Sequence, residues 1–197
     1  MTISGKPSHA GIVLAAGAST RMGRPKALLE TADGMLLADA QADVLRNSGC
    51  GKTVVVLGAD AAIIQPRLHA PVAVNFAWKS GRITSVQTGL RMLPGFAGYF
   101  ILPIDTVGID VETVFVLRQY ADARKPAALR PAYQGQKGRI LWISDATAQT
   151  VLAAHASVDT RLDELIEPLV QELDVGDEAV LNNVNTPEDW ERLRPDR

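Results

Sequence analysis

Gly11-Ile-Val-Leu-Ala15 runs without a break into Ala16-Gly-Ala-Ser-Thr-Arg-Met-Gly-Arg-Pro-Lys26. The first five residues form a short, continuous apolar run. A run of that kind suits a strand covered on both faces, as in a parallel sheet. The residues behind it are mostly small and include three cations, Arg21, Arg24 and Lys26. Small residues let backbone N–H groups approach an anion closely. Arginine offers a planar fork to phosphate oxygens, and lysine a mobile point charge. A first strand that opens onto such a loop suits a polyphosphate; a solvated loop with ordinary surface charges is the alternative.

Working outward, short apolar runs alternate with helical periodicity. Thr53–Leu57, Pro71–Phe76 and Gly98–Ile104 read as further strands. Leu37, Ala40 and Val44 recur at helical spacing and stop at Asn47-Ser-Gly49. Ile83, Val86, Leu90 and Leu93 do the same before Pro94, and Val114, Leu117 and Ala121 before Pro126. Farther on, Ala127–Pro131, Gly138–Ile143, Leu169–Val175 and Ala179–Val184 read as strands. Asp145–Ala156 and Thr160–Ile166 read as helices, and Thr186-Pro-Glu188 opens a last one with Thr as N-cap and Pro at the first position. The alternation predicts an α/β fold: a Rossmann-like, doubly wound, mostly parallel sheet with an antiparallel strand in the second half. Ligands of such sheets sit beyond the carboxyl ends of the strands. Residues 16–26 and 105–110 are therefore the places to look for chemistry.

Composition narrows the classes. The chain has 197 residues, of which 47% are hydrophobic. At roughly 150 residues per domain that predicts a single domain over 9–197, behind a flexible tail of residues 1–8. Lys and Arg number 20 against 22 Asp and Glu, a net charge of −2. No basic excess argues against a dedicated nucleic-acid partner. The longest uncharged run, Met92–Ile104, contains Pro94 and falls short of the roughly 20 apolar residues of a spanning helix, so no membrane role is expected. MTISGKPS has one Lys and no apolar stretch behind it, which predicts no secretory signal. With a single cysteine, Cys50, the expectation is a cytoplasmic protein without a disulfide framework.

Rival phosphate motifs fail. G-x-G-x-x-G is absent, which removes the main support for a hydride-transferring dinucleotide enzyme. Ser48-Gly-Cys-Gly-Lys-Thr53 mimics the end of a P-loop, but Arg46 stands at its first glycine and it precedes a strand instead of following one.

Leu14-Ala-Ala-Gly-Ala-Ser-Thr-Arg-Met-Gly-Arg-Pro-Lys-Ala-Leu-Leu29 closely resembles the opening of the MobA-like nucleotidyltransferases, in particular the molybdenum cofactor cytidylyltransferase branch. Asn75-Phe-Ala-Trp78 with Gly81, Ser85 and Gly89-Leu90 resembles the family's second segment. Ile101-Leu-Pro-Ile-Asp105 resembles its metal-binding strand end, and Asn182-Asn-Val-Asn-Thr-Pro-Glu-Asp189 its closing motif.

The resemblance implies transfer of a nucleoside monophosphate from an NTP to a phosphate on an acceptor, with release of pyrophosphate. It implies Arg21 on the β- and γ-phosphates, and Lys26 at the α-phosphate and the incoming acceptor phosphate. Gly17 and Ala18 would offer backbone N–H groups. Ala15 and Ala16 would line the base pocket, with Leu14 beside them among the nucleotide-binding positions. Gly81 and Ser85 would contact base and ribose, and Trp78 serves either as core or as pocket wall. Asp105 would bind Mg²⁺, with Asn185 as the second metal-side residue. An ionised attacking phosphate needs no strong general base, and none stands out among His9, His69 and His155.

Departures bear on the substrates. Ala16 and Pro25 follow the cytidylyl pattern and favour CTP; Asn185 stands where cytidylyltransferases usually have Asp. Asp105-Thr-Val-Gly replaces the usual D-x-P-L, and Gly138-Arg-Ile140 replaces G-H-P on the acceptor side. Arg139 and Arg161 are candidates for the acceptor-phosphate contacts in its place, unless they are plain surface residues. Molybdopterin is the implied acceptor, together with contact to a molybdoenzyme or its chaperone. Residues 9–104 would form the NTP half and 105–197 the acceptor half. A GTP-using guanylyltransferase, a sugar-phosphate nucleotidyltransferase and a non-catalytic nucleotide-binding regulator remain the alternatives.

Overall fold

A computed structural model describes residues 8–155 and 161–195. The expected tail apart from Ser8, the ends at Ala156 and Thr160 of two expected helices, and the last two residues lie outside that set. Among the described residues eight strands form one sheet in the order β3-β2-β1-β4-β7-β5-β6, with β8 also paired to β5. The strands are β1 (His9–Ala15), β2 (Lys52–Leu57), β3 (Val72–Val74), β4 (Gly98–Pro103), β5 (Ala128–Tyr133), β6 (Gln136–Lys137), β7 (Leu141–Ser144) and β8 (Val170–Asp174). β1 pairs in parallel with both β2 and β4, β2 with β3, and β5 with β8. β7, inserted between β4 and β5, is antiparallel to both, and β6 is antiparallel to β5.

β1 shows why its sequence is apolar without alternation. Val13 and Ala15 belong to one hydrophobic cluster, while Ala10, Ile12 and Leu14 belong to another on the opposite face. Successive side chains of a strand point to opposite faces, so burial on both sides needs an unbroken run. Helices α1 (Leu37–Asn47) and α4 (Val111–Arg124) supply the first cluster. α3 (Arg82–Met92) and α5 (Asp145–Ala153) supply the second, together with α6 (Leu162–Ile166). The sheet is therefore wound on both faces. The short α2 (Ala61–Ile64) follows β2, and α7 (Pro187–Leu193) closes the described chain. Gly89 lets α3 lie hard on β1: a Cβ there would come within 2.6 Å of Ile12. Cys50 is buried between α1 and β2, and burial pushes its thiol up to about 12. No helix among the described residues is long and apolar enough to cross a membrane.

Some elements differ from expectation. The buried face of α1 is not Leu37, Ala40 and Val44. It is Leu37, Ala38, Gln41, Ala42 and Leu45, with Asp39 buried as well. Hydrophobic periodicity misplaced it because two buried polar side chains bond to distant backbone. Asp39 accepts from the Ala70 N–H at 2.8 Å, and Gln41 donates to the Thr106 carbonyl at 2.8 Å.

Ala179–Val184 is not a strand. A 3-10 turn covers Glu178–Leu181, capped by the Asp177 carboxylate on the Ala179 N–H at 2.9 Å. Val180 and Val184 are apolar because they are buried beneath the loops after β4 and β6, not because they sit in a ladder. They make single bonds there: Val180 carbonyl accepts from Arg139 N–H at 3.0 Å, and Val184 N–H donates to Asp105 carbonyl at 2.8 Å. The expected strand Pro71–Phe76 is reduced to Val72–Val74, and Gly138–Ile143 starts only at Leu141. The hairpin joining β5 to β6 was not anticipated. Gln134 and Gly135 both take positive φ between the paired Tyr133 and Gln136, the geometry of a two-residue primed turn.

Candidate active site

The loop after β1 is folded on itself. Ser19 takes a left-handed φ of 50° and starts a 3-10 turn over Thr20–Met22, whose Met22 is buried. A second 3-10 turn, Lys26–Leu28, follows Pro25, and the Lys26 N–H donates to Ser19 Oγ at 3.2 Å. Folded this way, the loop brings Lys26 back beneath its own start.

The facing wall begins at the ends of β2 and β3. The Ala59 N–H donates to the Ala16 carbonyl at 3.0 Å. A Cβ on Gly58 would fall 2.6 Å from that carbonyl and 2.6 Å from Trp78 Cβ, so only glycine lets the Trp78 segment pack onto the β1 loop. Asn75 donates to Thr84 Oγ1 at 2.8 Å and to Ser85 Oγ at 2.9 Å, and its own oxygen accepts from the Ala77 N–H. This buried amide ties the Trp78 segment to the first turn of α3. Gly81 precedes that turn at φ 101°, with open space where a Cβ would stand.

Asp105 stands just past β4, its side chain 22% exposed. Oδ2 accepts from Arg139 Nη2 at 3.3 Å and lies 4.0 Å from Lys26 Nζ. Oδ1 is buried without a partner among the described residues. Asn185 sits on the far side of Lys26. Its Oδ1 accepts from Lys26 Nζ at 3.2 Å and from Arg21 Nη2 at 3.0 Å. Asn185 is itself held, because its N–H donates to Asp189 Oδ2 at 3.0 Å beside the Thr186–Asp189 capping box of α7. Those backbone N–H bonds, from Asn185 and then Thr186, hold the Asp189 carboxyl below its usual range. Burial pulls the Lys26 ammonium below the ordinary lysine value; Asp105 opposes the shift, and Arg21 and Arg139 add to it.

These walls enclose a cleft of about 510 Å³ at the carboxyl ends of β1 and β4. Of the sequence candidates, Leu14, Ala16, Gly17, Lys26, Gly81, Ser85, Asp105 and Arg139 line it. Trp78 lines it too, as wall and not core, and Ser19, Lys79 and Arg82 are additional lining residues. Ala15 is not a lining residue: its side chain is packed in the core below. Ala18 is exposed on the loop outside the lining, and Arg21 reaches the cluster only through Asn185. The exposed Arg24 stays outside as well. Arg161 is not brought to the cleft; it is exposed at the start of α6 and 4.0 Å from Glu164.

Gly58 and Asn75 are parts of the site that sequence reasoning missed as such. Asn75 was quoted within a motif, and Gly58 stood in the strand-end position where a close approach is common. A smaller groove of about 250 Å³ adjoins the cleft and shares Arg139 with it.

A divalent ion fits one residue of the expected pair well. The buried, unpartnered Oδ1 of Asp105 is a hard oxygen donor of the kind Mg²⁺ takes, one or two carboxylates being completed by phosphates and water. Asn185 Oδ1 is already engaged by two cationic donors. Among the described residues no group of three or more His, Cys, Asp or Glu is arranged to cage a metal without substrate.

A family profile described as the MobA-like NTP transferase domain matches residues 11–174. The nicotine blue oxidoreductase of Paenarthrobacter nicotinovorans is 29% identical over 205 residues, covering 95% of this chain and 97% of that protein. The probable molybdenum cofactor guanylyltransferase of Rhodopirellula baltica is 33% identical over 115 residues, 56% of this chain and 54% of its own. Among solved structures, Rv0371c from Mycobacterium tuberculosis H37Rv aligns with a TM-score of 0.77 at 25% identity, over 93% of this chain and 96% of that one. Its complex with manganese aligns with a TM-score of 0.72 at 24% identity, over 95% and 98%. The doubly wound sheet, the folded cationic loop and a profile match over most of the length lead to one assignment: the chain belongs to the MobA-like NTP transferase family and is a nucleotidyltransferase of that type.

Proposed function

We propose that this nucleotidyltransferase moves CMP from CTP to a phosphate of molybdopterin or its metal-loaded form. An acceptor phosphate oxygen forms a bond to the α-phosphorus, the bond from that phosphorus to the bridging oxygen breaks, and pyrophosphate leaves. The acceptor arrives ionised, so the difficulty is the meeting of two anions. Positioning and cations answer it, as in phosphoryl transfer generally.

One observation carries the reading. Lys26 Nζ lies 3.2 Å from Asn185 and 4.0 Å from Asp105, at the mouth of a cleft floored by small residues. In this reading Lys26 draws the α-phosphate and the acceptor phosphate together. Arg21 exchanges its bond to Asn185 for the β- and γ-phosphates and steadies the leaving pyrophosphate. The small side chain of Ala16 and the bare Gly17 let the base lie close to the backbone, with Gly81 and Ser85 opposite. Asp105 would hold Mg²⁺, which would supply charge neutralisation at the phosphates. Residues 9–104 serve the NTP and 105–197 the acceptor. The acceptor extends into the adjoining groove, where Arg139 replaces the His-Pro loop of relatives. We place the reaction in the cytoplasm.

The test is pyrophosphate release with reduced molybdopterin and each of CTP, GTP, ATP and UTP, with Mg²⁺ or Mn²⁺. Turnover highest with CTP is expected. Turnover with GTP alone transfers the assignment to the guanylyl branch; turnover only with a sugar phosphate transfers it to another acceptor. CTP binding with no turnover on any acceptor supports a regulator.

A second reading rests on the 29% identity that spans nearly the whole of the protein called nicotine blue oxidoreductase. In that reading the same cleft serves redox chemistry. An absorbance change in a redox dye incubated with the protein and a reductant, alongside no pyrophosphate release with any NTP, would favour it.

A further inference from the structure

The segment that carries Asp105 continues as Thr106-Val-Gly108, with no proline after the carboxylate to stiffen it. Four consecutive carbonyls of this stretch are nevertheless held. The Gln41 amide donates to the Ile104 carbonyl at 3.2 Å and to the Thr106 carbonyl at 2.8 Å. The Val184 N–H takes the Asp105 carbonyl at 2.8 Å, and Asn182 Nδ2 takes the Val107 carbonyl at 2.8 Å.

The orientation of Asp105 follows from two peptide planes, one ending in the Ile104 oxygen and one in its own. Gln41 fixes the first and Val184 the second. Gln41 is 5% exposed and projects from α1, a helix anchored by the buried Leu37, Ala38, Ala42 and Leu45. Its amide has one workable orientation, because two carbonyls accept only from N–H. Its Oε1 is left buried without a partner in consequence.

We infer that Gln41, seconded by Asn182, is a positioning residue that presets the Asp105 carboxylate for the metal-bound triphosphate. This rests on Asp105 being the metal-side carboxylate. Partners behind a metal ligand are worth about 10- to 100-fold in metal affinity, and the clamp acts through the backbone of the ligand in place of its side chain.

Gln41→Met keeps the length of the side chain and removes both donors. The experiment measures Mn²⁺ binding with CTP and with GTP by the loss of the free-ion EPR signal, next to thermal unfolding, for wild type, Gln41→Met and Asp105→Asn. Gln41→Met is expected to weaken Mn²⁺ binding about 10-fold. Its pyrophosphate-release rate recovers as the metal concentration rises, which Asp105→Asn does not allow. Wild-type Mn²⁺ affinity in folded Gln41→Met, with Asp105→Asn impaired, overturns the inference and leaves the Asp105 reading standing. Wild-type affinity in Asp105→Asn overturns both. If Gln41→Met does not fold, Asn182→Ala removes one donor from a less buried position, and the same two outcomes decide.

Discussion

Residues 19–26 hold their shape through bonds that stay inside the loop, while Ala16 at its start also accepts from the Ala59 N–H. The Met22 N–H reaches the Ser19 carbonyl at 2.9 Å, and the Lys26 N–H reaches the Ser19 hydroxyl at 3.2 Å. The opposite wall adds long-range bonds to short local ones such as the Thr106 N–H on the Pro103 carbonyl at 3.0 Å. Asp105 is oriented by Gln41 and Val184, and Asn185 by Asp189. One wall of the cleft is a contiguous piece of chain, and the other is assembled from α1, the end of β4 and the approach to α7. The contiguous wall brings Arg21 and Lys26, and the assembled wall brings the carboxylate with Arg139 beside it. The two walls meet at Lys26, 4.0 Å from Asp105, while Arg139 pairs with the same carboxylate at 3.3 Å.

The contrast is tested most directly by removing one charge from each wall. Lys26→Ala and Asp105→Ala are each expected to cut turnover by at least about 100-fold while leaving the thermal midpoint near wild type, as for the loss of a transition-state charge contact. Near-wild-type rates in both, measured as pyrophosphate release, would break the two-wall account.

A smaller effect lies in the pH profile. Lys26 must be protonated to meet phosphate, and the fold holds its proton less tightly than an ordinary lysine with a value of 10.5. The free enzyme's kcat/KM should therefore fall with rising pH on a limb below that value, and Lys26→Arg should remove the limb. The stability sign is opposite. Between the folded value and 10.5 the unfolded chain binds more protons at this site, so its contribution to stability rises with pH across that window.

Gly58→Ala probes the seam between the walls. Its Cβ would strike the Ala16 carbonyl and Trp78, so a loss of about 1–3 kcal/mol in urea unfolding is expected, as for overpacking. CTP affinity should weaken with it. The smallest change is at Arg161, exposed and away from the cleft; Arg161→Ala should leave KM for the acceptor within about twofold, in line with the small worth of exposed ion pairs. A larger rise would mean that α6 closes on the acceptor.

The contiguous wall is the part of the site that was legible in the sequence. β1 had to be apolar on both faces, and a loop of small residues and cations behind it has few other uses. The last helix was legible for the same local reason, since Thr186 and Pro187 mark its start within two residues. The assembled wall was not. Gln41 carries no signal of its role in the sequence, because its partner is a carbonyl more than sixty positions later. Ala179–Val184 reads as a strand because Val180 and Val184 are apolar, yet they are buried under loops. Asp105 stood out because it ends an apolar strand, where an unaccompanied carboxylate is costly, and because Ile101–Asp105 resembles the family's metal-binding strand end. Hydrophobic periodicity reports which residues leave water, and it is silent about single long-range hydrogen bonds.

The only sulfhydryl of this protein, Cys50, stays protonated and sealed below the sheet at any physiological pH. Maleimide chemistry needs a reachable thiolate. A fluorophore attached through an engineered cysteine on the rim of the cleft would thus report from one place, with the native residue left untouched, and opening or narrowing around a nucleotide becomes measurable in single molecules.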